Sequence, residues 1–139
     1  SRQDKYNIAA NTTFALGTTT LKDDLLRDFL VERARTCLLY SEPGAGSDLA
    51  AVRTIAVRHA DRWVVNGQKV WTSGAQTADY ALLLARTDWD VPKHKGLSLF
   101  ILPMKQAGIQ IGSWSRATCL YQPRQRGNDS SVYSNTVPV

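Results

Sequence analysis

The spacing of apolar residues changes character near residue 36. Before it, Leu21, Leu25, Leu26, Phe29 and Leu30 recur at steps of four, one, three and one, the stripe of an amphipathic helix. Thr18, Thr19 and Thr20 offer N-cap hydroxyls, and Asp23 and Asp24 place negative charge in the first turn, where the helix dipole favours it. The pattern predicts a helix from about 20 to 34. Residues 1–16 show no clear period. From Cys37 onward the signals are those of strands: Cys37–Ser41, Val52–Arg58, Tyr80–Thr87, Leu97–Leu102 closed by Pro103, and the short Gly108–Ile111. Trp63-Val64-Val65 and Gln68-Lys69-Val70-Trp71 flank Asn66-Gly67, a dipeptide favoured in two-residue turns, and predict a hairpin turning there. Thr87–Gly96 reads as a long polar loop. Several short strands joined by turns predict a mainly β fold with an N-terminal helix, a small β-barrel or sandwich.

Composition narrows this only a little. The chain has 139 residues, 43% hydrophobic and 21% charged, which suits one folded domain. No apolar run approaches the roughly 20 residues that span a bilayer, and no signal core follows Ser1-Arg2-Gln3-Asp4-Lys5, so the expectation is a cytoplasmic protein without a membrane span. The net charge of +5 comes from scattered residues such as Arg33, Arg58, Lys93 and Arg124, with no stripe and no interleaved aromatics; nucleic acid is not an expected partner. Cys37 and Cys119 form no motif, and Cys37 reads as a buried free thiol. His59 and His94 read as surface residues, and no metal-ligand spacing is present.

Two stretches could carry chemistry. In Tyr40-Ser41-Glu42-Pro43-Gly44-Ala45-Gly46-Ser47-Asp48, a strand runs into a turn whose Pro43 fixes φ and whose Gly44 and Gly46 permit unusual backbone angles. Such a turn can present amides and hydroxyls to a ligand. Val65-Asn66-Gly67-Gln68-Lys69-Val70-Trp71-Thr72-Ser73 answers it some twenty residues later. Glu42, a carboxylate before proline in a tight turn, reads as a structural acceptor for backbone amides.

Ser-Glu-Pro-Gly-Ala-Gly-Ser-Asp paired with Val-Asn-Gly-Gln-Lys-x-Trp and then Leu83-Leu84-Ala85-Arg86-Thr87 resembles the acyl-CoA dehydrogenase family over about Gly17 to Ile111. The resemblance implies residues 1–36 as the end of the N-terminal helical domain and 37–111 as the middle β domain. It also implies FAD as cofactor. Tyr40 and Ser41 match the strand end that approaches the flavin pyrimidine edge. Trp71, Thr72 and Ser73 match the segment that packs along the isoalloxazine and bonds its N5 side. Ser47 matches the serine at the thioester and pantetheine end of the substrate. Family members usually carry threonine where Ser41 and Ser73 stand. The implied partners are an acyl-CoA substrate, an electron-accepting flavoprotein and, in intact members, further copies of the same chain.

No residue here is assigned as catalytic, because the family's base lies in a C-terminal helical domain. The chain alone is therefore expected to hold flavin weakly and to be inactive, one wall of an enzyme that oxidises acyl-CoA to enoyl-CoA. After Ile111 the resemblance fails, and 112–139 reads as a divergent or frame-disturbed tail with little expectation of order. The alternatives are a non-catalytic truncated remnant and a β module that binds CoA or protein.

Overall fold

The computed structural model describes residues 2–60, 62–112, 119–121 and 133–138. Helix α1 (Arg2–Leu16) leads into a second helical stretch made of α2 (Thr19–Leu21), a π-helical turn (Lys22–Leu26) and α3 (Arg27–Leu30). Then come strands β1 (Thr36–Leu39), β2 (Ile55–His59), β3 (Arg62–Lys69), β4 (Tyr80–Arg86), β5 (Leu97–Pro103), β6 (Ile109–Ile111), β7 (Cys119–Tyr121) and β8 (Tyr133–Pro138). They form one curled sheet in the order β6-β7-β3-β2-β4-β5-β8, with β1 pairing parallel to β4. The expected mainly β architecture with an N-terminal helix is present.

Strand β4 is the centre. Ala81, Leu83 and Ala85 face one core with Cys37, Leu39, Val65, Phe100 and Leu102, while Leu82 and Leu84 face the other side. A strand buried on both faces reads as a continuous apolar run, which is why Tyr80 to Arg86 was legible. The helices close the second face through Leu21, Leu25 and Phe29, whose ring meets Tyr80 edge-on at 5.7 Å between centroids. Full burial of a side chain such as Phe29 contributes about 1.5–3 kcal/mol. Cys37 is buried, as expected.

Residues 1–16, which show no clear period, contain helix α1. From residue 8 on, its buried residues are small, Ala9, Ala10 and Thr13, while Phe14 and Leu16 are exposed, so no large apolar stripe marks that part. Three expectations need correction. The next helical stretch does begin at the Thr18 cap, whose hydroxyl accepts from the Leu21 amide, but it ends at Leu30 rather than near 34. The strand expected from Val52 starts at Ile55, after a 3₁₀ turn (Leu49–Ala51).

The third correction concerns the hairpin. Asn66 and Gly67 are not a turn: β3 runs straight through them, and Ile55 pairs with Asn66. The chain reverses between His59 and Arg62, with Ala60 at φ +53°. Gly67 has a different reason to be glycine. A Cβ there would lie 2.7 Å from Thr54 Cα, so the residue is set by the close approach of a neighbouring backbone.

Parts of the 112–139 tail pair with the sheet. Cys119–Tyr121 lies between β3 and β6, and Tyr133–Pro138 runs against β5. The expectation of little order for the rest of 113–132 falls outside the described residues.

Candidate functional site

The first limb of the site is a two-ended turn. The Glu42 amide donates to the Ala45 carbonyl at 2.8 Å and the Ala45 amide returns to Glu42 at 3.1 Å, with Pro43 and Gly44 at the tip. Gly44 and Gly46 are not in the left-handed region, and a Cβ on either would meet nothing within 4 Å. Backbone geometry therefore does not demand them, contrary to the reading of the turn. What they leave is open ground beside a cleft of about 480 Å³ that Pro43, Gly44, Arg53 and Gln68 help to line.

Below the turn, the Glu42 carboxylate is surrounded by donors. Its Oε2 accepts from the Arg53 amide at 2.7 Å; its Oε1 accepts from the Thr54 amide at 2.8 Å and the Thr54 hydroxyl at 2.5 Å. Lys69 Nζ completes the set at 2.9 Å from Oε1, both side chains being buried. Burial pushes the Glu42 carboxyl up, but the Thr54 hydroxyl, the two amides and Lys69 together hold it below its ordinary value. Burial draws the Lys69 ammonium below the usual lysine range, opposed by the bond and charge of Glu42. A carboxylate so occupied is a structural acceptor, the role expected of it.

The second limb starts from the same lysine. Lys69 Nζ also donates to the Tyr40 carbonyl at 3.0 Å, and the Val70 amide donates to the Ser41 carbonyl at 2.9 Å. Two consecutive residues of one limb thus hold two consecutive carbonyls of the other. Immediately afterwards Trp71 takes φ +61°, a left-handed conformation that bulky residues avoid, and the residue is 61% exposed. Thr72 is buried, and its hydroxyl has no partner among the described residues. Ser73 is exposed and Gly74, at φ +85°, turns the chain back toward the sheet. The structure therefore brings Tyr40, Ser41, Trp71, Thr72 and Ser73 to one junction.

Ser47 stands apart from that junction. It is exposed on the limb beyond the turn, beside Asp48, whose carboxylate is held below its usual range by a hydrogen bond from Lys93 at 2.6 Å. His59 and His94 are exposed, as expected.

Lys69, Thr54 and Arg86 were not singled out from the sequence. Arg86 is buried and donates to three carbonyls: Ala50 at 2.6 Å, Lys93 at 3.1 Å and Val52 at 3.3 Å. Its guanidinium also lies 4.9 Å from the Trp89 ring centroid. A basic residue ending an apolar strand was the available signal for Arg86, and strand alternation from Val65 was the signal for Lys69.

Residues 37–122 match the family model of the acyl-CoA dehydrogenase middle domain. This chain belongs to the acyl-CoA dehydrogenase family. It is 40% identical over 136 residues to the acyl-CoA dehydrogenase FadE26 of Mycobacterium tuberculosis, a match covering 96% of this chain and 32% of that protein. It is 42% identical over 76 residues to the human mitochondrial short-chain specific acyl-CoA dehydrogenase, covering 55% of this chain and 18% of that one. Among solved structures, the Tcur3481-Tcur3483 steroid ACAD superposes with a TM-score of 0.78 at 37% identity, over 95% of this chain and 33% of the other. The chain thus spans about a third or less of the length of these acyl-CoA dehydrogenases. Among the described residues no cluster of His, Cys, Asp and Glu could hold a metal, and no helix is long and apolar enough to cross a membrane.

Proposed function

We propose that this chain is the middle β domain of a flavin-dependent acyl-CoA dehydrogenase, with residues 1–36 as the end of the helical domain before it and 37–111 as the β domain proper. In this reading it supplies one wall of an active site that oxidises acyl-CoA to enoyl-CoA. Bound FAD would supply the hydride acceptor. The residues at the junction fit that group. Tyr40 and Ser41 offer backbone groups and a hydroxyl at a strand end, and Trp71 offers a flat exposed ring on a constrained backbone. Thr72 brings a hydroxyl without a partner among the described residues, and Ser73 lies exposed beside it. Ser47, on the neighbouring limb, would meet the thioester end of the substrate.

The observation that carries the reading is Trp71: a large aromatic residue held exposed in a strained conformation is costly unless something stacks on it. Glu42 is not the base, since both its oxygens are engaged by donors. In the intact enzyme the base would come from the helical domain, electrons would leave to a flavoprotein acceptor, and subunits would associate with copies of themselves.

The test is a titration of the chain with FAD, following quenching of tryptophan and flavin fluorescence, in wild type and Trp71→Ala. Saturable quenching weakened by Trp71→Ala supports the reading; unsaturated mixing identical in both removes the flavin role. A thioester series run from short acyl chains to a steroid side chain would then assign the substrate class.

A further inference from the structure

A buried lysine–carboxylate pair is seldom explained by stability. Desolvating two charges costs as much as their attraction returns, and apolar replacements are often neutral or better. Lys69 and Glu42 nonetheless sit almost fully buried, 2.9 Å apart, between the two limbs of the candidate site. Their connections are unequal in a telling way. Glu42 is anchored from below by Arg53 and Thr54, so it is a fixed point. Lys69 takes its position from Glu42 and passes it on to the Tyr40 carbonyl. The next residue, Val70, repeats the tie at the Ser41 carbonyl, and Trp71 then enters its left-handed turn.

We propose that the Lys69–Glu42 pair is a positioning device that fixes the spacing between Tyr40–Ser41 and Val70–Ser73. The inference rests on the flavin reading above, in which those limbs flank the isoalloxazine from two sides. A strained residue persists only where its surroundings over-determine it, and the two consecutive ties at Lys69 and Val70 supply that determination for Trp71. An apolar side chain at 69 would fill the same volume without setting a distance. Lys69 also polarises the Tyr40–Ser41 peptide, because an ammonium on the carbonyl oxygen strengthens the N–H of the same group as a donor.

The test uses Lys69→Met/Glu42→Gln, which removes both charges together and leaves no orphan ion. Amide hydrogen exchange is read at Val70, whose N–H donates to the Ser41 carbonyl, and compared with amides of β4 and β5, and FAD affinity is measured on the same samples. The expected result is cooperative unfolding with core exchange preserved. Exchange at Val70 should be faster on the order of tenfold to a hundredfold, the scale of losing the charged donor that fixes the neighbouring carbonyl. If that variant does not unfold cooperatively, Lys69→Gln/Glu42→Gln is read in the same way. Unchanged exchange at Val70 would overturn the proposal and reduce the pair to core filling. If wild type takes up no FAD while the limbs loosen as expected, the flavin reading fails and the positioning role stands. If FAD binds and neither exchange nor affinity responds, the positioning role fails alone.

Discussion

Gly67 faces Thr54 so closely that a Cβ built on the glycine would lie 2.7 Å from both Thr54 Cα and Thr54 Cβ. Thr54 cannot retreat, because its amide and hydroxyl are both spent on Glu42. Gly67→Ala should therefore destabilise the chain by about 1–3 kcal/mol, the usual cost of overpacking a fixed site. Denaturant unfolding would measure it. An alanine variant as stable as wild type would mean that β3 and the Thr54 segment are not held in this register.

The same contact explains what was legible in the sequence and what was not. Asn66-Gly67 carries the strongest short-range turn signal available, and local chemistry alone cannot distinguish a glycine needed for a turn from one needed for a close neighbour. The distinction is made by Thr54, twelve residues or more away. Reading a turn there also broke the alternation along β3 that places Val65, Gly67 and Lys69 on one side, and so hid Lys69 as an inward residue. The two apolar strands β4 and β5 were readable because burial on both faces leaves them almost wholly apolar, Ser98 being the polar residue inside β5. Helix α1 was not, since the buried residues of its second half are two alanines and a threonine. At the site, Tyr40, Ser41 and Trp71–Ser73 came from family resemblance; that Lys69 and Val70 join them is a fact of tertiary structure.

Arg86 offers a second check. Its guanidinium serves carbonyls of Ala50, Val52 and Lys93 from one buried position, tying two loops to the end of β4. Arg86→Met leaves these acceptors without their charged donor and should cost about 1.5–3 kcal/mol. Arg86→Lys should recover little of this, because one ammonium cannot reproduce the planar fork. Thermal unfolding of the pair would show it; full rescue by lysine would mean that charge alone, and not geometry, is what the loops need.

Trp71 should separate stability from binding. Its left-handed φ disfavours any bulky side chain, by roughly 1–2 kcal/mol. Trp71→Gly relieves that strain while removing the side chain of a residue already 61% exposed. The melting temperature should hold or rise, while FAD quenching falls. A marked drop in Tm would identify the indole as a packing residue and weaken its assignment as the flavin wall.

The last prediction concerns acid. Burial pushes the Glu42 carboxyl up, yet the donors from Thr54, Arg53 and Lys69 outweigh it and the folded-state pKa is depressed. Asp79 is depressed too, first by the hydrogen bond from Lys105 and next by the Arg35 amide. For a depressed carboxyl, the unfolded chain binds protons more tightly than the folded one, so stability falls as protons are taken up. The contribution is complete above the unfolded-state pKa, about 4 for these carboxylates, and is lost as pH falls from there through the lower folded values. Stability measured by denaturant unfolding should therefore be flat between about pH 6 and 7 with respect to these groups and decline below about pH 5. Glu42→Gln should start from a lower plateau, since it leaves Lys69 charged against a neutral amide, and should decline less steeply, having one fewer carboxylate to protonate. Asp79→Asn separates the two contributions: its slope should also be shallower, with a smaller loss at neutral pH because that side chain is partly exposed. Identical acid slopes in wild type and Glu42→Gln would show that the Glu42 carboxyl binds its proton equally in the folded and unfolded chain, and the donor cluster around it would need a different account.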